Sequence, residues 1–158
     1  VMAQHWRLLT VGRPKDRAIS QMIDEYRMRL GSWQPLDWVV APEIGYKSGQ
    51  ESETLEREAK AITKHLDPTD FVILLDIEGQ QVTSEALSRQ LARYQEQSFA
   101  VVFVIGGSLG VSPRVRERAN WRWSLSPLTL PHALAQLITV EQIYRAFSII
   151  HHHPYHKV

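Results

Sequence analysis

The apolar positions of the chain follow two alternating periods. Four short runs, at 6–11, 36–41, 71–76 and 100–105, are rich in Val, Ile, Leu and aromatic residues and bounded by Gly, Pro or Asp, which predicts strands. Each is followed by a stretch whose apolar residues recur at three- and four-residue steps. Between 16 and 30 these are Ile19, Met22, Ile23, Tyr26 and Leu30; next come Leu55, Ala59, Ile62 and Leu66, then Leu87, Leu91 and Tyr94. That spacing gathers each set on one helical face. Ser84 and Ser112 are placed to cap the helices they precede, and Pro113 sits at a first helical position, where its missing amide is tolerated. A short strand is predicted over 121–125. A last helix is predicted over 133–148, with Leu134, Leu137, Ile138, Tyr144 and Phe147 facing inward.

Alternation of strand and helix predicts an α/β fold with a mostly parallel sheet flanked by helices. Sheets of this kind take ligands in the loops beyond the carboxyl ends of their strands. The loops to inspect are therefore 76–79, 106–110 and 126–132. No repeat, low-complexity tract or linker divides the 158 residues, so a single domain over 2–158 is expected. The segment 45–50, with two glycines and no apolar periodicity, is expected to be a mobile loop.

Composition narrows this picture. The chain is 44% hydrophobic and 22% charged, as globular chains are, and no apolar run approaches the roughly 20 residues of a membrane span. The start lacks the basic, apolar, small-residue order of a signal peptide, and Val1 ahead of Met2 is set aside as a residue left from expression. A cytoplasmic location and no membrane partner are expected. Cysteine is absent, which removes disulfides, thiolate nucleophiles and cysteine-based metal sites. The net charge of +1 hides an asymmetry: residues 1–98 hold 12 Lys/Arg and 15 Asp/Glu, whereas residues 99–158 hold 6 and 2. Five of the seven histidines also lie in the second part. Either an anionic partner meets that half first, or the acidic residues are simply the solvated faces of the first three helices.

Three segments carry candidate chemistry. Ile105-Gly106-Gly107-Ser108-Leu109-Gly110 ends a strand with glycines that admit close approach of backbone amides to a ligand, or that serve a tight strand-to-helix turn. It is neither the dinucleotide fingerprint nor a P-loop. The segment 125–132, Leu-Ser-Pro-Leu-Thr-Leu-Pro-His, is apolar yet holds two prolines, which predicts a buried irregular stretch. Its backbone polar groups then need partners, from a ligand such as an adenine edge or from neighbouring protein groups. The tail at 151–157 concentrates four histidines with Tyr155 and Lys157. Adjacent histidines diverge and no carboxylate accompanies them, so no metal is expected; stacking and phosphate contact with RNA suit these residues better.

Together, Leu-Leu-Asp-Ile-Glu-Gly at 74–79, Ile-Gly-Gly-Ser-Leu-Gly at 105–110, Trp-Ser-Leu-Ser-Pro-Leu-Thr-Leu-Pro-His at 123–132 and His-Pro-Tyr-His-Lys at 153–157 resemble the bacterial ribosomal RNA large-subunit methyltransferase H family of the SPOUT superfamily. The similarity spans the chain from Met2 onward. It implies an α/β knot, with a C-terminal trefoil that binds S-adenosyl-L-methionine in a bent form, and a homodimer without a separate RNA-binding domain. It also implies methylation of N3 of a pseudouridine in 23S ribosomal RNA on the assembled ribosome. Carried over by position, the cofactor contacts fall on Leu75, Gly107, Ser126, Pro127, Leu128, Thr129, Leu130 and Pro131. His132, Tyr155 and Lys157 are the candidates for placing the base and assisting loss of its imide proton. Lys157 stands where many relatives carry arginine, keeping the charge without the two-pronged donor.

Overall fold

The computed structural model describes residues 4–45 and 48–157, so Tyr46 and Lys47 of the segment expected to be a mobile loop lie outside the described residues. The strands are β1 (Trp6–Val11), β2 (Leu36–Ala41), β3 (Phe71–Gln80), β4 (Val101–Ile105) and β5 (Trp121–Trp123). The helices are α1 (Arg17–Leu30), α2 (Glu51–Thr63), α3 (Ser84–Glu96), α4 (Pro113–Arg118) and α5 (His132–Ile150). The strands form one sheet in the order β2-β1-β4-β3-β5, and every pairing between them is parallel. The expected α/β fold with a parallel sheet flanked by helices is therefore observed.

Period-two alternation explains the two cores. Trp6 and Leu8 of β1, Ile73 of β3 and Val101, Phe103 and Ile105 of β4 face α1, α3 and α5, where Ile23, Leu30, Leu87, Leu91 and Phe147 meet them. Leu9, Val11, Val72, Leu74, Val102 and Val104 point the other way, against Ala59 and Ile62 of α2 and Val115 of α4. With both faces covered, the central strands can be continuously apolar. Each fully buried Leu, Val or Phe contributes about 1.5–3 kcal/mol relative to exposure.

Local signals held at some positions and failed at others. Ser112 caps α4, accepting from the Val115 amide, and Pro113 is at the first turn. The cap of α3 is Thr83, which accepts from the Ala86 amide; Ser84 lies inside the helix and bonds Gln142 at 2.7 Å instead. Leu134, expected inward, is exposed in the first turn of α5, whereas Leu137, Tyr144 and Phe147 further along the helix pack into the core. β3 runs to Gln80, through the segment expected to be the loop 76–79. Its pairing with β5 slips between Leu75 and Gln80, both opposite Trp123, so residues 76–79 form a bulge within the strand.

Candidate active site

That bulge has specific supports. The Glu78 amide donates to Asp76 Oδ1 at 3.0 Å, closing a local turn. A Cβ on Gly79 would stand 2.6 Å from the Arg122 carbonyl, so only glycine lets β3 and β5 pass this closely. The buried Asp76 carboxylate pairs with Arg122 of β5 at 3.3 Å and Arg116 of α4 at 3.5 Å, fixing both elements to the end of β3.

Beside it, the turn after β4 folds back on itself, with the Gly110 amide donating to the Gly107 carbonyl at 3.0 Å. Gly110 adopts a φ of +85°, and a Cβ on Gly106 would lie 2.6 Å from Val111 Cγ1 and 2.7 Å from the Gly110 oxygen. Turn geometry therefore requires both glycines. Gly107 differs: a Cβ there would meet Val11 Cγ1 at 3.2 Å and the Glu58 carboxylate oxygens at 3.3 and 3.4 Å. The added atom would point at Val11 of β1 and Glu58 of α2.

The third wall is the segment after β5. Ser124 Oγ donates to the Ser126 carbonyl at 3.1 Å, and Ser126 Oγ accepts from the Leu128 amide at 3.0 Å. The buried stretch expected here is not observed. Pro127, Leu128 and Thr129 are exposed, Leu128 at 71%, because these short bonds and the solvent-facing course of the loop satisfy its backbone without burial.

These three walls enclose a cavity of about 280 Å³ at the carboxyl ends of β3 and β4. Leu75, Ile105, Val111, Trp123, Leu125 and Leu130 make it apolar, while Gly106, Gly107, Ser126 and Thr129 supply its polar edge. A planar heterocycle that is apolar on its faces and polar at its rim matches this lining.

A second cluster adjoins the Gly107 turn and was missed in the sequence. Glu58 of α2 is only 5% exposed, and its Oε1 has no hydrogen-bond partner among the described residues. Its Oε2 accepts from the Ile44 amide at 3.4 Å. Burial pushes the carboxyl above its ordinary value against the lowering influence of that amide; Glu43 adds to the rise and His132 opposes it. Gln136 of α5 donates to the Gly12 carbonyl at 3.4 Å, and its own Oε1 is likewise buried and unpartnered. The signal was present: Thr54, Glu58 and Ile62 share a buried face at four-residue spacing, so one acidic residue of α2 is not solvated.

Comparison with known proteins settles the family. A family model described as "Predicted SPOUT methyltransferase" matches residues 4–156. The chain belongs to the SPOUT methyltransferase family. A relative from Bifidobacterium animalis subsp. lactis, named ribosomal RNA large subunit methyltransferase H, is 44% identical over 155 residues, covering 95% of this chain and 98% of the relative. One of the same name from Streptococcus suis is 38% identical over 156 residues, covering 96% and 98%. Among solved structures, a probable methylase family protein from Haemophilus influenzae aligns with a TM-score of 0.54 at 14% identity, over 96% of this chain and 68% of that one. A probable methyltransferase from Bordetella pertussis gives 0.52 at 12% identity, over 92% and 95%. Both structures support the fold alone.

In this SPOUT methyltransferase, Leu75, Gly107, Ser126, Leu128, Thr129 and Leu130 line the one cavity, whereas Pro127 and Pro131 shape its loop. His132 begins α5 at the rim. Tyr155 and Lys157 do not line it: the chain after Ile150 turns back along α5, and Tyr155 docks at Glu141, nine residues from His132 and about 14 Å along the axis at 1.5 Å per residue. The tail is docked there. Tyr155 donates to Glu141 at 2.7 Å, lies 3.2 Å from the Tyr26 hydroxyl and packs edge-on against Tyr144. His156 donates to Glu85 at 2.9 Å and accepts from Arg145 at 3.1 Å, and His151 stacks on Trp33. Burial, then Tyr26 and Glu141, drive the Tyr155 phenol far above its usual range. It stays neutral and cannot take a proton while docked. Lys157 is exposed.

Proposed function

We propose that the chain transfers a methyl group from S-adenosyl-L-methionine to N3 of a pseudouridine in 23S ribosomal RNA, on the assembled ribosome in the cytoplasm. The cavity at the carboxyl ends of β3 and β4 carries this reading, because it joins the segments at 75–79, 106–111 and 123–130 in a chain of this family. The names of relatives covered nearly end to end supply the RNA class.

The lining fits the methyl donor. Leu75, Trp123, Leu125 and Leu130 would sandwich an adenine ring, and the backbone at Gly107 and residues 126–130 would meet its polar edge. When bound, the donor supplies an already electrophilic sulfonium methyl. The protein's task is then to align the base and accept its imide proton. His132 at the rim is placed to hold the base.

We further propose a homodimer. His132 stands at the cavity rim while Tyr155 is docked on Glu141, about two and a half turns along α5, so in this arrangement the tail does not meet a base held by His132 of the same chain. The tail of one subunit lying beside the cavity of its partner would unite them. Ribosomes lacking the modification, incubated with the protein and labelled donor, are expected to gain one methyl on a pseudouridine of the large-subunit RNA. Label appearing on a ribose oxygen or on transfer RNA would redirect the reading; no label on any RNA would end it.

A further inference from the structure

Glu58 Oε1 and Gln136 Oε1 are the two buried side-chain polar atoms without a hydrogen-bond partner among the described residues. Both are acceptors, and both lie around the bend at Val11 and Gly12, where β1 ends. Gln136 reaches the Gly12 carbonyl, and Glu58 lies against Val11 and Gly107. Glu43 closes the same space, since a Cβ on Gly12 would stand 3.0 Å from its Oε2. Leaving a buried acceptor unpaired is costly, and an unpaired carboxylate oxygen more so. A cluster offering only acceptors calls for a ligand that brings N–H donors, and the Gly107 turn separates it from the apolar cavity by a single residue.

Resting on the proposed methyl transfer, we infer that Glu58 accepts the imide proton of the base, with Gln136 Oε1, near the end of β1, as a second and neutral acceptor. The N3–H bond breaks and its proton passes to Glu58 Oε1. The electron pair left on N3 forms the new N–C bond to the sulfonium methyl. The S–C bond breaks with its pair going to sulfur, leaving a neutral thioether, a methylated base and a protonated Glu58. A carboxyl whose affinity for protons is raised by burial suits that acceptance better than an ordinary surface carboxylate. Among the described residues, the charged groups that act on it are Glu43, which follows β2, and His132, which begins α5, while Val11 of β1 lies nearby. On α4, Arg114 pairs with Glu56 at 3.6 Å, both half-exposed.

Glu58→Gln decides the matter, with Glu58→Asp as the conservative control. Donor affinity by calorimetry, melting temperature and single-turnover methyl transfer to ribosomes across pH are all read. The expected result for Glu58→Gln is unchanged donor affinity, a preserved fold and a transfer rate at least about a hundredfold lower, the low end of general-base contributions. The wild type should show a rate that rises with pH through a single step above the ordinary carboxylate range. That step should be absent in Glu58→Gln and shifted but present in Glu58→Asp. A Glu58→Gln rate equal to wild type with the same pH profile overturns the proposal. So does a loss of donor affinity that accounts for the whole loss of rate, which would make the cluster a subsite for the donor's ammonium group. Should Glu58→Gln fail to fold, the wild-type profile still decides: a rate climbing about tenfold per pH unit with no step means that the base loses its proton to solvent. A wild type that binds donor but methylates no ribosomal RNA ends the proposed function and this inference together, whereas an active wild type with an equally active Glu58→Gln ends this inference only.

Discussion

A methyl group built on Gly106 would press on the Val111 side chain and the Gly110 carbonyl at 2.6 and 2.7 Å, whereas one on Gly107 would meet Val11 and Glu58 at 3.2 to 3.4 Å. The first contact involves backbone that cannot retreat; the second involves side chains that give by tenths of an ångström. Gly106→Ala is therefore expected to destabilise the fold by about 1–3 kcal/mol, as overpacking does, and Gly107→Ala by less, measured from denaturant midpoints. Equal losses would mean that the turn after β4 relaxes as a unit. Glu58 gives a pH-dependent expectation. Burial raises its carboxyl above the ordinary value of 4.5. The stability it contributes is thus complete below 4.5 and is lost as pH rises through the higher folded value. Glu58→Gln, which cannot ionise, should melt near wild type at acidic pH and above it at alkaline pH. The reverse order in melting scans would show that the ionised carboxylate is stabilised in the fold. Sequence patterning carried only a weak signal for Glu58, its four-residue spacing from Thr54 and Ile62, because a lone acidic residue on a helix otherwise reads as solvated.

The elements were more legible than their edges. The apolar runs of β1 and β4 and the spacing of Ile19, Ile23 and Leu30 follow from burial against a sheet, which every side chain of the face obeys. The start of α3 does not, since Thr83 and Ser84 are both good caps and the choice depends on Gln142 of α5 drawing Ser84 away. Thr83→Ala should cost about 1 kcal/mol in thermal unfolding, the usual value of a lost cap. The bulge in β3 was read as a loop because its non-ladder geometry comes from Gly79 and the Asp76 pairs with Arg116 and Arg122, which are distant in sequence. The tail was read as a set of RNA contacts, yet Tyr155 packs on Tyr144 and bonds Glu141. Tyr155→Phe keeps the ring and deletes that bond, so it should cost about 1 kcal/mol and raise amide exchange over 151–157. Unchanged exchange would mean that ring packing alone holds the tail.

At the scale of the whole molecule, the separation of cavity and tail makes a prediction that neither end makes alone. A chain with Leu130→Arg, which fills the cavity, and a chain lacking residues 154–158 should each be inactive on ribosomes. Mixed and allowed to exchange subunits, they should regain activity, since one dimer then holds one intact cavity beside one intact tail. Mixed samples that stay inactive would place the whole site within one subunit. Nothing in the periodicity of the chain announces such sharing, because it would depend on where the tail docks along α5 rather than on any local pattern. That helix has a further consequence. It joins the rim of the cavity to the tail without interruption from His132 to Ile150, so it sets an angle as well as a length. One inserted residue would swing the tail by about 100° around the axis and advance it by about 1.5 Å. Substitutions can accumulate along α5, but a gain or loss of residues would move both ends out of phase. Changes in chain length in this part of the protein are thus expected in the loop before Pro131 and after His151, and α5 acts as a gauge between the cavity and the place where the tail docks.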